Sequence, residues 1–160
     1  MLWLLRHGEA EDSAASDFER RLTGRGEHQA RCAGRALAQL GIDLDHAFTS
    51  PRVRAFDTAR LACAELGVQA VVHAPLSEGF TVDDALELAA VTGADGSILL
   101  VGHEPDLSGL VADLTSGRVA MKKGGLAAIR LAHGRGEISA LLRPREIELV
   151  AGGRNGLVTG

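Results

Sequence analysis

Leu4-Leu5-Arg6-His7-Gly8-Glu9-Ala10 is the stretch around which the chain is organised. Met1 to Leu5 is a short, largely apolar run of the kind that forms a buried strand, and an arginine and a histidine stand where that strand has to end. The strand delivers both to its tip, and Gly8, lacking a Cβ, permits a tight turn and a close approach of the backbone to a ligand. Taken alone, an Arg-His pair at a strand end does ordinary surface duty. Three further segments change that reading.

Ser97-Ile98-Leu99-Leu100-Val101 is a continuous apolar run between Gly96 and Gly102, as expected of a strand buried on both faces. It leads into Gly102-His103-Glu104-Pro105, where the proline suits the first turn of a helix extending to about Thr115. His103 therefore falls in a strand-to-helix turn. His46-Ala47-Phe48-Thr49 reads as another strand, and Ser50 as N-cap with Pro51 at the first helical position predicts a helix that closes at Gly67. Arg54 then lies in the first turn, where a helix N-terminus already favours an anion and a guanidinium adds a fork matched to phosphate oxygens. Arg52, two residues earlier, is expected to point elsewhere, into solvent.

Between these segments, Ser13 to Arg21 is polar and without apolar period, hence a loop. Thr23 caps a helix expected to run to about Leu40, stopped by Gly41, with Ala30, Ala33, Leu37 and Leu40 on the face that packs on a sheet. Arg20, Arg21 and Arg25 near its start have the charge to line an anion entrance, although a solvated basic rim needs fewer assumptions. Ala70 to His73 reads as a strand, Pro75 to Phe80 as a loop and Asp83 to Val91 as a helix. Glu78 would serve as a general acid if its loop folds back over the site, and is otherwise a solvent-facing glutamate. Ala127 to Ala132 and Glu137 to Leu142 read as an antiparallel hairpin at one sheet edge. Past Pro144 a short amphipathic piece leads to a glycine-rich end, so one domain is expected over 1–150 and a flexible tail over 151–160.

A chain of 160 residues suits one domain with a full core, and 46% hydrophobic with 24% charged residues is ordinary for a soluble globular protein. The formal charge of -4 argues against a general nucleic-acid binder, so any cationic site is local. The first apolar run is too short for a signal peptide or membrane span and Arg6 interrupts it, so no membrane association and a cytoplasmic location are expected. Cys32 and Cys63 fit no metal spacing and are expected to be reduced, buried thiols. His28, His46, His73 and His133 match no ligand spacing and are assigned to surface or packing.

The alternation of strands and helices predicts an α/β domain of three layers, α/β/α, with a mainly parallel sheet and an antiparallel edge. In such sheets ligands bind beyond the carboxyl ends of the strands, where His7, Arg54 and His103 are each placed independently, with Arg6 beside them. Two histidines and two arginines converging on one crevice form a pocket for a tetrahedral dianion. No acidic cluster suited to a metal accompanies them, so neither a metal nor a cofactor is expected.

Arg6-His7-Gly8 after a strand, Leu22-Thr23 with Gly26 and Gln29-Ala30, Ser50-Pro51 with Arg54-Ala55 and Thr58-Ala59, and Gly102-His103-Glu104-Pro105 form a spaced set. Over residues 4–105 this set resembles that of the histidine phosphatase superfamily, the phosphoglycerate-mutase-like proteins. The chain length and the short segment between Thr58 and Ser97 are similar to the SixA-type phosphohistidine phosphatases, which lack the helical cap insertions of the mutases. Phe56-Asp57 departs from the family pattern, which commonly has Gln before the Thr. The resemblance implies that His7 attacks phosphorus and carries the phosphoryl group, while Arg6, Arg54 and a protonated His103 bind its oxygens without a cofactor. Glu78 falls roughly where the mutases carry their catalytic glutamate. The implied partner is a phosphohistidine-bearing protein; a small phosphate ester is the alternative of the same chemistry, and a non-catalytic phosphate-binding module is the alternative of another class.

Overall fold

Alternating apolar side chains make β1, Leu2–Arg6, a strand whose two faces are both buried. Leu2 and Leu4 join one core cluster, Trp3 and Leu5 the other. The computed structural model describes residues 1–93 and 95–152. After β1 come α1 (Gly24–Gln39), β2 (His46–Thr49), α2 (Val53–Ala64), β3 (Ala70–Val72), α3 (Val82–Ala90) and β4 (Ile98–Gly102). The chain continues through α4 (Asp106–Thr115), β5 (Leu126–Ala132), β6 (Arg135–Leu142) and α5 (Pro144–Ala151).

The strands form one sheet in the order β3-β2-β4-β1-β5-β6. The first four of these are parallel, with Leu2 to Arg6 paired to Ile98 to Gly102, and β5 and β6 close the other edge antiparallel. Their hairpin turns at His133-Gly134, both at positive φ (53 and 74), the turn geometry that matches strand twist. Helices α1, α2 and α5 cover the face presented by Trp3, Leu5, Leu99 and Val101, whereas α3 and α4 cover that of Leu2, Leu4, Ile98 and Leu100. Each fully buried leucine contributes about 1.5–3 kcal/mol, so β1 and β4, apolar on both faces, anchor the sheet and give its carboxyl end a rigid floor.

Several boundaries differ from expectation for local reasons. Helix α2 opens at Val53, not at Ser50-Pro51, because the Ser50 hydroxyl accepts the Arg52 N–H at 3.2 Å and closes a short turn first. Pro105 is likewise the cap of α4, which begins at Asp106. Ala30, Ala33 and Leu37 are buried, but Leu40 is 48% exposed; as the C-cap of α1 it lies past the last packed turn. The polar loop holds a 3-10 turn at Asp17–Glu19. Of the tail expected over 151–160, Ala151 ends α5 and Gly152 caps it, and residues 153–160 lie outside the described residues. Cys32 and Cys63 are free and buried, and burial pushes the Cys63 thiol up to about 11. No described helix is long and apolar enough to cross a membrane.

Candidate active site

The backbone just past β1 is held from both sides. His7 N–H donates to Gly102 O at 3.1 Å, and Gly124 N–H, from the loop before β5, donates to Arg6 O at 3.1 Å and His7 O at 2.9 Å. The His7 ring, 5% exposed, places Nδ1 2.7 Å from Gly8 O and Nε2 3.3 Å from Arg54 Nε. A carbonyl only accepts and a guanidinium only donates, so Nδ1 carries the proton and Nε2 presents a lone pair. Burial pushes the ring's pKa down to about 4, opposed by the Gly8 carbonyl and reinforced by the charges of Arg54, Arg6 and Lys123. At neutral pH His7 is an uncharged base in one tautomer.

Gly8 crosses Gly26 at the start of α1 so closely that a Cβ would stand 2.5 Å from Gly26 O, which only glycine allows. Gly8 N–H donates to Thr58 Oγ1 at 3.0 Å, the Thr58 hydroxyl donates to Arg54 O at 2.6 Å, and Glu9 N–H donates to Gln29 Oε1 at 2.9 Å. These contacts clamp the turn after His7 to α1 and α2. Phe56 and Asp57 stand apart from them: Phe56 is 40% exposed and Asp57 pairs with Arg60 at 3.4 Å.

Every nitrogen of Arg54 is engaged. Nε donates to His7, Nη1 to the main-chain O of Asp17 at 2.6 Å and Nη2 to Asp17 Oδ2 at 3.1 Å. The same carboxylate accepts from Arg52 Nη1 at 2.7 Å and Arg20 Nη1 at 2.9 Å, so one aspartate bridges three arginines. Arg20 chiefly, then Arg54 and Arg52, hold its pKa down at about 2. Arg6 directs Nη1 to Met121 O at 2.7 Å and keeps a buried Nε without a partner. Arg52 corrects the expectation of a solvated side chain: Asp17, Ser77 and Glu78 hold it against the cleft. Its extended backbone as the N-cap of α2 aims it differently from a helical residue. Of the arginines near α1, Arg20 reaches the cleft, Arg21 is exposed, and Arg25 pairs with Glu9 at 3.7 Å.

The His103 ring lies 5.1 Å from that of His7, centre to centre. Its Nε2 is 2.8 Å from Ser50 Oγ, and its buried Nδ1 has no partner. Burial, then His7, Arg54 and Arg52, push its pKa down to about 3. A buried ring beside arginines is thereby held toward its neutral form. Among the described residues the buried Ser50 hydroxyl has no acceptor for its own hydrogen other than His103 Nε2, so it donates there and the ring keeps its proton on Nδ1. Glu78 reaches the cleft edge, 87% exposed and 3.5 Å from Arg52 Nη2. Its loop is tied to α4 by Asp106 Oδ2, which accepts the Gly79 N–H at 2.8 Å and the Phe80 N–H at 3.3 Å. Together with Lys123 these groups line a cavity of about 370 Å³. Among the described residues no three His, Cys, Asp or Glu side chains are grouped to hold a metal ion.

The cleft thus gathers His7, Arg6, Arg54 and His103, the four residues that the sequence singles out, and Glu78 at its edge. Asp17, Arg52 and Lys123 join them without a sequence signal that identifies them as site residues, and Ser50, legible as a helix cap and as part of the spaced motif set, joins them through His103. Residues 2–83, just over half of the chain, match the histidine phosphatase superfamily (branch 1). The chain is 33% identical over 159 residues to an uncharacterized protein of Picosynechococcus, covering 90% of this chain and 96% of that one. It is 35% identical over 125 residues to the phosphohistidine phosphatase SixA homolog of Haemophilus influenzae, covering 71% and 76%. Among solved structures, the protein histidine phosphatase SixA complexed with tungstate superposes with a TM-score of 0.83 at 27% identity, covering 90% of this chain and 97% of that one. With sequence match, shared fold and a cleft at the carboxyl end of the parallel strands all in agreement, the chain belongs to the histidine phosphatase superfamily, branch 1.

Proposed function

We propose that this protein is a phosphatase that takes the phosphoryl group of a phosphohistidine on a partner protein onto His7 and then releases it to water. The observation that carries this reading is the His7 ring: neutral, held as the Nδ1–H tautomer by Gly8 O, with its Nε2 lone pair beside Arg54 in a cationic cleft. Nε2 attacks phosphorus and the substrate P–N bond breaks. The substrate imidazole, protonated on its other nitrogen, leaves as a neutral molecule, so no strong general acid is required. Water then attacks the phosphorus carried on Nε2 and forms a P–O bond, gives up one proton to solvent, and the P–N bond breaks to return the lone pair to His7. Arg6, Arg54 and the Nδ1–H of His103 are the donors for the three equatorial oxygens, whose charge dominates the transition state. Arg54 keeps its hold on Asp17 while doing so, since each terminal nitrogen has a second hydrogen to give.

Two further observations support the reading. The SixA relative was solved with tungstate, a tetrahedral oxyanion, and the Haemophilus relative is named a phosphohistidine phosphatase. Between β3 and α3 the chain spends only residues 73–81, with one 3-10 turn and no inserted cap, so the mouth is open to a side chain presented on a surface. A small metabolite would find no walls to grip there, and little remote binding energy to lower its barrier. The test is a panel of phosphohistidine, phosphoserine and small phosphomonoester substrates. The expected kcat/KM for phosphohistidine exceeds the others by at least about a hundredfold, about 2.7 kcal/mol at the transition state. An acid-labile phosphoenzyme should accompany it, and His7→Ala should fold normally while losing both; turnover retained in folded His7→Ala ends the proposal. One observation favours small esters instead, namely Glu78 at the cleft edge. If an ester is the best substrate and Glu78→Gln abolishes its hydrolysis, that second reading replaces the first.

A further inference from the structure

Five cationic side chains line the cleft: Arg6, Arg20, Arg52, Arg54 and Lys123. That is more positive charge than one phosphoryl group requires, and three of the five are already paired with carboxylates. Asp17 spans Arg20, Arg52 and Arg54, and Glu78 adds a second carboxylate to Arg52. Arg6 belongs with His7, Arg54 and His103 around the phosphoryl oxygens. Lys123 is left over. Among the described residues no carboxylate lies within ion-pair distance of it.

The position of Lys123 is nevertheless fixed. Its neighbour Gly124 donates to both Arg6 O and His7 O, Gly125 N–H donates to Lys122 O at 2.8 Å, and Arg6 N–H donates to Gly125 O at 3.1 Å. The lysine therefore rides on a tight turn bonded to the backbone of His7 itself. The sheet order adds a direction. Lys123 stands over the β5 side of β1, whereas Glu104 and Asp106 stand at the start of α4 over β4, and Glu78 lies beyond them after β3. A second anion next to the phosphoryl group is repelled over the β4 side and attracted over the β5 side. A compact ammonium on a flexible stem suits a carboxylate whose position varies, better than it suits the fixed oxygens of a tetrahedral group.

Resting on the reading of the cleft as a phosphohistidine site, we infer that Lys123 selects phosphohistidines that have an acidic side chain beside them on the partner's surface. The contact is an exposed ion pair, so it acts on encounter and on selectivity more than on the chemical step.

The experiment compares phosphohistidine peptides flanked by aspartate with the same peptides flanked by alanine. The wild-type protein should prefer the acidic peptide about three- to fivefold in kcat/KM, the worth of one exposed ion pair, and added salt should shrink the preference. Lys123→Gln should abolish the preference and Lys123→Glu should reverse it. Lys122→Gln, an exposed neighbour outside the cleft, should retain it. Competitive inhibition by inorganic phosphate should stay near the wild-type value in Lys123→Gln; a loss as large as that for the acidic peptide would put Lys123 in the phosphoryl cradle and overturn the inference. The same peptides carrying a stable phosphonate analogue of phosphohistidine are titrated for Kd, which separates the two claims. A Lys123-dependent preference in binding without any turnover sustains the inference and removes the phosphatase reading. Equal turnover and equal binding of both peptides do the reverse.

Discussion

Ser50 illustrates how one hydroxyl decides what a neighbouring side chain has to offer. Its oxygen accepts the Arg52 N–H at 3.2 Å and stands 2.8 Å from His103 Nε2, so its hydrogen has one acceptor and the His103 proton is left on Nδ1. Ser50→Ala removes that donor, and the ring is expected to move its proton to Nε2, leaving no donor on the unpartnered nitrogen. Turnover should fall about tenfold, near the ~1.4 kcal/mol of one lost hydrogen bond, with KM little changed. The ring ¹⁵N shifts of His103 should report the tautomer change directly, and Ser50→Thr should restore much of both signals. Unchanged ring shifts in Ser50→Ala would reduce Ser50 to a packing residue. From the sequence, Ser50 before a proline is recognisable as a helix start. The destination of its hydrogen is not, because His103 lies 53 residues further along and meets it only through the pairing of β2 with β4.

The loop between β1 and α1 is the element whose contribution is largest relative to its sequence signal. It has no apolar period, yet its 3-10 turn carries Asp17 to Arg20, Arg52 and Arg54. Without that carboxylate Arg20, Arg52 and Arg54 would converge on one cleft with only Glu78 near Arg52 to offset them, and Arg54 would lose the partner of Nη2 while Nη1 keeps the main-chain oxygen of residue 17. Asp17→Ala is expected to lower kcat/KM about tenfold, sharing the loss between KM, through Arg20 and Arg52, and kcat, through Arg54. The carboxylate is 53% exposed, so water screens part of the effect, and Asp17→Asn should lose less than the alanine variant because it still accepts hydrogen bonds. Steady-state kinetics on both variants, with the fold followed by circular dichroism, checks this; wild-type kinetics in folded Asp17→Ala would show that the arginines hold their places unaided. The helices on either side were far more legible. Thr23 caps α1 by accepting the Gly26 N–H at 3.1 Å, a contact between neighbours in sequence that local chemistry alone dictates. Arg52 departs from expectation for the opposite reason, since its direction depends on a turn that delays α2 and on acceptors contributed by two distant loops.

For the molecule as a whole, burying two neutral histidines links stability to pH. His7 and His103 protonate near 6.5 when unfolded, but only at about 4 and about 3 in the native state. Between those values the unfolded chain binds more protons, so stability rises with pH, is fully present above about 6.5 and is lost as the pH falls through the native values. Asp17, held at about 2, has the same sign: its contribution is present above its ordinary carboxylate value and disappears as the pH falls through about 2. Denaturant midpoints should therefore drop steadily from pH 7 to pH 4, and His7→Ala combined with His103→Ala should flatten the drop, by an amount on the order of a few kcal/mol. An equally steep profile in the double variant would place the acid sensitivity elsewhere. The sequence by itself determined the three layers, the parallel sheet with its antiparallel hairpin, and the placing of His7, Arg54 and His103 at carboxyl ends of strands. Each of these follows from apolar runs, caps and turns, whose physics is local. Tertiary structure alone decided the tautomers and charge states of the two histidines, the bridging of three arginines by Asp17, and the pinning of the Lys123 turn to His7. Those depend on burial and on hydrogen bonds between segments far apart in the chain, and no spacing along it encodes which atoms will meet.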